Sequence, residues 1–491
     1  MGMGMNRIME VLYLTARKFV VWFRNDFRFD DNPAICQALR EAEKADGEII
    51  FIFHLHPDFS SKIDLSSDYF FQTVETFARQ CKEKGMKLHV LSGPVQEAFQ
   101  LLFDKAGCVH TVFCAEEYTA FAASRDEEAR KIIEKNNACL VRTPGNYVHQ
   151  PQEIMKNDGT PYKVYTPYSR SWMQAEKPAL YPSVPDDIRE RYKRLKALDE
   201  TSEREWKEVL KRCTRTWKRL GEEAGRNRLE YFCQKVLPHY HESRDLPEKA
   251  GTSRLSPYLR TGALSARRMY QAADSKRENH SSQGPEAFLK EIAWRDFYTM
   301  ILHHFPETET KEFQEKYRGL PWREDKRLLQ KWKDGQTGFP IVDAGMRQLN
   351  EVGWMHNRLR MITASFLTKD YQMDWRIGEA YFREKLIDHD PASNIGGWQW
   401  ASSVGTDAVP YFRVFSPVRQ GVRFDPEGAF VKKYVPELKN TPQKYIHEPH
   451  KMNDQEQKEA QCIIGKDYPA PSVDHKEERK RAIRMFKEID D

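Results

Sequence analysis

Five short apolar runs punctuate the first third of the chain, at 19–23, 48–53, 87–91, 109–114 and 139–142. They are rich in Val, Ile and Phe and lack the polar alternation of a half-solvated strand. Between them, 33–44, 68–84, 95–105 and 124–136 repeat apolar residues at helical spacing. Such strands and helices in alternation predict a parallel sheet covered on both faces. The pattern therefore predicts a doubly wound, five-stranded α/β domain over 19–145. No Gly-x-Gly-x-x-Gly fingerprint of ordinary dinucleotide folds follows the first run.

The pattern then changes twice. From about residue 145, Pro144, Pro151, Pro161, Pro167, Pro178, Pro182 and Pro185 break up a polar, Tyr-rich segment. This predicts a connector over 146–205 that wraps on the surface. From Trp206 onward the spacing is helical, with helices predicted at 229–237, 285–303, 339–351, 355–368, 375–386, 427–434 and 476–489. The expected organisation is a flexible lead-in over 1–18, the α/β domain, the connector and an all-helical domain over 206–491.

Composition narrows the classes. A chain of 491 residues exceeds what one core usually supports. With 40% hydrophobic residues and 31% charged residues of both signs, it is a folded chain and not a disordered one. A net charge of +5 permits a nucleic-acid partner without requiring one. The 8 cysteines form no Cys-x-x-Cys pair and no zinc spacing, which suits buried thiols in a reducing compartment. No apolar run reaches the roughly 18 residues of a membrane helix. A cytoplasmic, monomeric protein with no membrane partner is the expectation.

Candidate chemistry is concentrated in the helical part. Of the 11 tryptophans, seven lie from Trp294 to Trp400, and Gly396-Gly397-Trp398-Gln399-Trp400 carries two of them one residue apart. Indole stacks on flat rings and is easily oxidised, so the cluster suits a stacking wall or an electron relay as well as a core. Asp388, Asp390 and Asn394 precede it as acceptors for the N–H edge of a ring. No second acidic group with metal spacing accompanies them, so no metal site is predicted. Glu291, Trp294 and Arg295 share one helix face. Asn357 and Met361 are one turn apart and flanked by Arg358 and Arg360, the makings of a nucleotide wall or of a solvated basic face. His356 reads as a structural hydrogen-bonder. Gly251-Thr252-Ser253-Arg254-Leu255-Ser256 offers N–H, O–H and guanidinium donors to an anion, and equally suits an ordinary helix cap.

These motifs, taken in order, resemble the photolyase/cryptochrome family, and within it the class I cyclobutane pyrimidine dimer photolyases. The resemblance runs from Phe19 to the C-terminal helix. It is carried by Trp22-Phe23-Arg24-Asn25-Asp26, Asp31-Asn32-Pro33, the Gly251–Ser256 segment, Glu291-Ile292-Ala293-Trp294-Arg295, 353–361, 388–400, Gly405-Thr406-Asp407 and Pro410-Tyr411-Phe412-Arg413.

The resemblance implies a photolyase/cryptochrome fold whose helical domain binds FAD, active as the reduced anion. Tyr240, Thr252, Ser253, Arg254, Leu255 and Ser256 would hold its phosphate and sugar side. Glu291, Trp354, Asn357, Arg360, Asp388, Asp390 and Asn394 would border its rings, with Arg360 paired to Asp388. The implied activity is that of a light-dependent carbon–carbon lyase. Excited flavin gives an electron to a cyclobutane pyrimidine dimer flipped out of DNA, the ring opens, and the electron returns. Flipping costs a few kcal/mol, and stacking on Trp294 and Trp400 returns roughly 1–3 kcal/mol per base. Glu291, Asn357 and Met361 would meet the pyrimidines, and Arg244, Arg358 and Arg413 the phosphates. Trp398, Trp375 and Trp322 would relay electrons between flavin and surface.

The resemblance also sets the rivals. A (6-4) photolyase would carry histidines at Asn357 and Met361, and the single-strand-preferring branch lacks the Trp-Gln-Trp pattern. A cryptochrome-type blue-light photoreceptor without repair is the alternative. A second, antenna chromophore is expected to be methenyltetrahydrofolate or a deazaflavin. The folate-contacting positions of the family fall here on Ile63, Phe121 and Ala122.

Overall fold

The computed structural model describes residues 16–185, 187–277 and 283–490, without the side chains of 199–202. Residues 1–15 of the expected lead-in lie outside these, and Lys18 is already the first residue of a strand. Contacts divide the described chain into two compact units. One comprises the residues up to Gln150 with Glu176–Glu230 and Arg254–Ala272; the other comprises Pro151–Ala175, Tyr231–Ser253 and the residues from Ala273 onward.

The first unit is built on strands β1 (Lys18–Phe23), β2 (Glu48–Leu55), β3 (Leu88–Ser92), β4 (Val109–Ala115) and β5 (Cys139–Thr143). They pair in the order β3-β2-β1-β4-β5, all parallel. Helices α1 (Pro33–Ala45), α2 (Leu65–Glu83), α3 (Val95–Ala106) and α4 (Ala120–Lys135) cross between them. Successive β1 residues face opposite layers. Val21 and Phe23 join Phe51 and Phe77 on one side, while Val20 and Trp22 join Ile52 and Phe99 on the other. Burial on both sides explains the unbroken apolar runs. Side-chain caps set the helix starts. Asn32 accepts from Ile35 N, Asp64 and Ser67 form a reciprocal box, and Thr119 accepts from Ala122 N. The last of these starts α4 four residues earlier than the apolar spacing alone suggests.

The expected surface connector is corrected. It contains helix α5 (Tyr165–Gln174), in which Tyr168 and Trp172 are buried. The Trp172 indole donates to Asp296 Oδ2 at 2.9 Å. Tyr168 and Trp172 are one turn apart and form an apolar helix face that the surrounding prolines obscure. Two stretches of the predicted helical region, 206–230 and Arg254–Ala272, group with the sheet. Trp206 enters its core, Glu222 accepts from the Phe29 and Asp30 backbone, and buried Arg267 pairs with buried Asp31 at 2.9 Å.

The second unit is helical. Its main elements are α5, α6 (Gln283–His304), α7 (Pro340–Val352), α8 (Asn357–Ser365), α9 (Trp375–Lys385), α10 (Pro391–Ser402) and α11 (His475–Asp490). The predicted helix over 355–368 is α8 followed by a wider turn at Phe366–Asp370. The core gathers Trp332, Leu349, Leu359, Trp375, Phe382 and Trp398. The charged C-terminal helix α11 docks through Phe486, which is fully buried and stacks on Tyr411 at 5.5 Å.

Candidate active site

The site is organised around α10. Asp390 caps the helix, its Oδ1 accepting from Ser393 N at 2.9 Å, and Pro391 follows at a position needing no N–H bond. The two glycines of this helix serve different ends. A Cβ on Gly396 would collide with the Tyr298 ring of α6, so this glycine lets the two helices close. A Cβ on Gly397 would meet nothing within 4 Å. Gly397 lies three residues from both Asn394 and Trp400, so the helix surface at the position between them carries no side chain and is open. On α9, Gly378 admits the Trp398 ring, which a Cβ there would strike.

Asn394 is fixed in orientation. Its amide nitrogen donates to Glu379 Oε1 at 3.0 Å and to the Glu379 carbonyl at 3.2 Å. A carboxylate accepts only, so this contact assigns the NH₂ to Glu379 and leaves the amide oxygen for a ligand donor. Glu379 has a buried carboxylate beside Arg383 and His389. Burial alone would raise its pKa, but hydrogen bonds and charge from His389 and Arg383 outweigh this and hold it at about 2. A folded-state pKa below the unfolded value stabilises the fold in full above the ordinary carboxylate pKa. That contribution is lost as pH falls from about 4.5 toward 2. It amounts to about 3 kcal/mol. Glu379→Gln is therefore expected to flatten the acid limb of a Tm-versus-pH curve; an unchanged limb contradicts the assignment.

Arg360 and Asp388 are brought together, the pairing that the family resemblance implies. One guanidinium nitrogen lies 2.7 and 3.0 Å from the two Asp388 oxygens, and Arg360 Nε donates to the Met355 carbonyl at 2.9 Å. Asp390 has Arg295 at 3.5 Å. His356 caps α8 through Arg358 N, a structural role, and Asn357 and Met361 lie side by side at 3.9 Å. Trp354 is buried just upstream.

The wall on α6 carries Glu291 and Trp294. Glu291 pairs with Arg244 at 2.5 Å. Desolvation raises its pKa above the ordinary carboxylate value, and Arg244 opposes the rise. Arg358 reaches Asp245 at 2.8 Å and lies over the Phe424 ring. Two of the three arginines expected at phosphates, Arg244 and Arg358, thus hold carboxylates here, while Arg413 is exposed. Trp294 has one face covered by Tyr165 of α5, the rings parallel within 9° and 3.6 Å apart. The Tyr165 hydroxyl is anchored on the Lys290 carbonyl at 2.6 Å. Tyr240 is buried beneath Arg244, whose guanidinium lies 5.9 Å from its ring.

Of the anion-binding segment, Thr252 and Ser253 belong to the helical unit, and Arg254, Leu255 and Ser256 group with the sheet unit. Arg254 adopts a left-handed backbone at φ 56, unusual for a non-glycine residue. Of the predicted relay, Trp398 and Trp375 are buried and Trp322 is partly buried against the same core. Trp400 is partly buried against this core too, its ring 6.4 Å from Phe415.

Tyr165, Glu379 and Tyr298 are absent from the predicted site. Tyr165 lies in the proline-rich stretch, and Glu379 reads as one more charge on an amphipathic helix. Nothing local marks Tyr298 until Gly396 is seen to leave room for it.

The residues fit a flat ring ligand. Gly397 leaves space, Asn394 presents an oxygen, and the buried Trp398 N–H has no acceptor among the described residues. Such an N–H is costly unless a ligand or water serves it. No group of His, Cys, Asp and Glu among the described residues is arranged to hold a metal. No described helix is long and apolar enough to cross a membrane.

Comparison with known proteins agrees with the geometry. Residues 19–186 match the DNA photolyase family, and 288–488 match the FAD binding domain of DNA photolyase. The deoxyribodipyrimidine photo-lyase of Alkalihalophilus pseudofirmus is 44% identical over 472 residues, covering 96% of this chain and 98% of that protein. A bacterial class III photolyase from Agrobacterium tumefaciens superposes with a TM-score of 0.84 at 32% identity, over 97% of this chain and 98% of that one. An archaeal photolyase from Sulfolobus tokodaii, solved with two FAD molecules, has a TM-score of 0.81 at 28% identity, over 96% of this chain and 100% of that one.

Proposed function

Because this chain belongs to the DNA photolyase family, we propose that it repairs cyclobutane pyrimidine dimers in DNA under light, with FAD as its cofactor. The observation that carries this reading is the fixed orientation of Asn394 beside the space at Gly397. An amide oxygen held outward is complementary to a ring N–H, and so to the reduced flavin that repair requires. A signalling photoreceptor has no such need for a reduced ring at rest.

When bound, the flavin supplies light absorption and the transferable electron; the protein supplies position and electrostatics. Asp388, Asp390, Arg360, Asn357 and Asn394 border the ring system, and Tyr240, Thr252 and Ser253 serve its anionic side. Trp294 and Trp400 hold the flipped pyrimidines by stacking, with Tyr165 backing Trp294 so that one indole face is presented. Glu291 meets the pyrimidine edge and Arg244 fixes its carboxylate. Desolvation raises the Glu291 pKa while Arg244 opposes the rise, and a proton on Glu291 would let it donate to a pyrimidine carbonyl as negative charge develops there. Glu291→Ala is expected to lower the repair yield per absorbed photon severalfold while dimer binding falls less. Equal losses in both would reduce Glu291 to a binding residue.

A second chromophore is also part of the proposal, and the residues disfavour folate. Ile63, Phe121 and Ala122 offer no side-chain polar atoms, and Phe121 instead packs edge-on against His56 and Phe59. The absorption spectrum of the purified protein is expected to show flavin without a folate band. A folate band released on denaturation would contradict this.

A further inference from the structure

The Gln399 side chain, between the indoles of Trp398 and Trp400, reaches a distant loop. Gln399 is buried, its amide nitrogen donating to the Thr308 and Lys311 carbonyls at 2.9 Å each, and its oxygen accepting from Phe313 N at 2.9 Å. The loop is pinned again where Gln314 N donates to the Val404 carbonyl at 2.9 Å. So held, the loop delivers Glu312, which is 1% exposed, to the edge of Trp375. The Trp375 indole N–H donates to Glu312 Oε1 at 3.2 Å, and Arg376 reaches Glu312 Oε2 at 2.7 Å.

Three charges thus surround one indole. The Arg376 guanidinium lies 4.9 Å from the Trp375 ring centre, which by itself disfavours a positive charge on that ring. Glu312 and Asp374, the latter 2.9 Å from Arg376, outnumber it. Besides pairing with Arg376, the buried carboxylate has no role toward the indole N–H that a neutral amide would not fill. Its charge has one in stabilising an indole that has lost an electron.

We propose that Glu312 is a positioning residue for electron relay, making Trp375 easier to oxidise than Trp398. Trp398 lies against Gly378, one turn along α9 from Trp375. Once Trp398 had given up one electron to a bound, light-excited flavin, Trp375 would replace it. The positive charge is then held on Trp375 beside Glu312, and return of the electron from Trp398 to Trp375 is slowed. No proton need leave the pair. The inference rests on the relay reading of Trp398, Trp375 and Trp322.

The test is time-resolved absorption of indole radicals in the flavin-loaded protein, comparing wild type, Glu312→Gln and Trp375→Phe. Glutamine keeps an acceptor for the indole and removes the charge. Glu312→Gln is expected to shorten the indole-radical lifetime and lower the yield of long-lived radical severalfold, at unchanged flavin content and near-unchanged Tm. Trp375→Phe is expected to abolish the long-lived radical. If Trp375→Phe abolishes it and Glu312→Gln leaves lifetime and yield as in wild type, the role of Glu312 is overturned. If Trp375→Phe has no effect, the relay reading itself fails.

Discussion

Arg360→Ala is expected to destabilise the protein by about 3–5 kcal/mol and to release the flavin on purification. The Asp388 side chain is only 2% exposed, and Arg360 contacts both of its oxygens. Truncating the arginine takes from a buried carboxylate the guanidinium that faces both of its oxygens, the costly half of breaking a buried pair. The Met355 carbonyl loses a donor at the same time. Asp388→Asn in the Arg360→Ala background removes the buried charge and should recover much of the stability but not the flavin. Thermal melts and the flavin-to-protein absorbance ratio separate the two effects. A double variant no more stable than Arg360→Ala would show that the buried charge is not the cause.

Trp294→Ala and Trp400→Ala are each expected to weaken binding of dimer-containing DNA roughly five- to hundredfold. Binding to undamaged duplex, set by phosphate contacts, should change little. Trp294 carries a further expectation through its stacked partner. Tyr165→Ala removes the ring stacked on the indole and leaves Trp294 itself in place, so it should reproduce a fraction of the Trp294→Ala loss. Mobility shifts in the dark read all three. Equal losses on damaged and undamaged DNA would mean that these rings do not contact the lesion.

The parallel sheet was legible because burial on both faces keeps the strands mostly apolar, as Val20, Val21 and Trp22 illustrate. The Arg360–Asp388 pair was legible only through the family pattern, since 28 residues separate the partners. Helix α5 was hidden because proline signals dominated a stretch whose only helical mark is Tyr168 and Trp172. Glu379 and Glu312 were hidden for another reason: each is a carboxylate on an ordinary polar stretch, and only tertiary packing buries it. Gln399 likewise gives no local sign of holding the Thr308–Phe313 loop. Charges buried by long-range contacts are thus the part of this site that local spacing does not reveal.

The central claim is that this chain splits pyrimidine dimers with light. The direct measurement is chromatography of a dimer-containing oligonucleotide incubated with purified, chemically reduced protein, in blue light and in darkness. Conversion to intact pyrimidines with multiple turnovers in light and none in darkness is the predicted result. Tight dimer binding with no conversion in light, at full reduced-flavin occupancy, would contradict it.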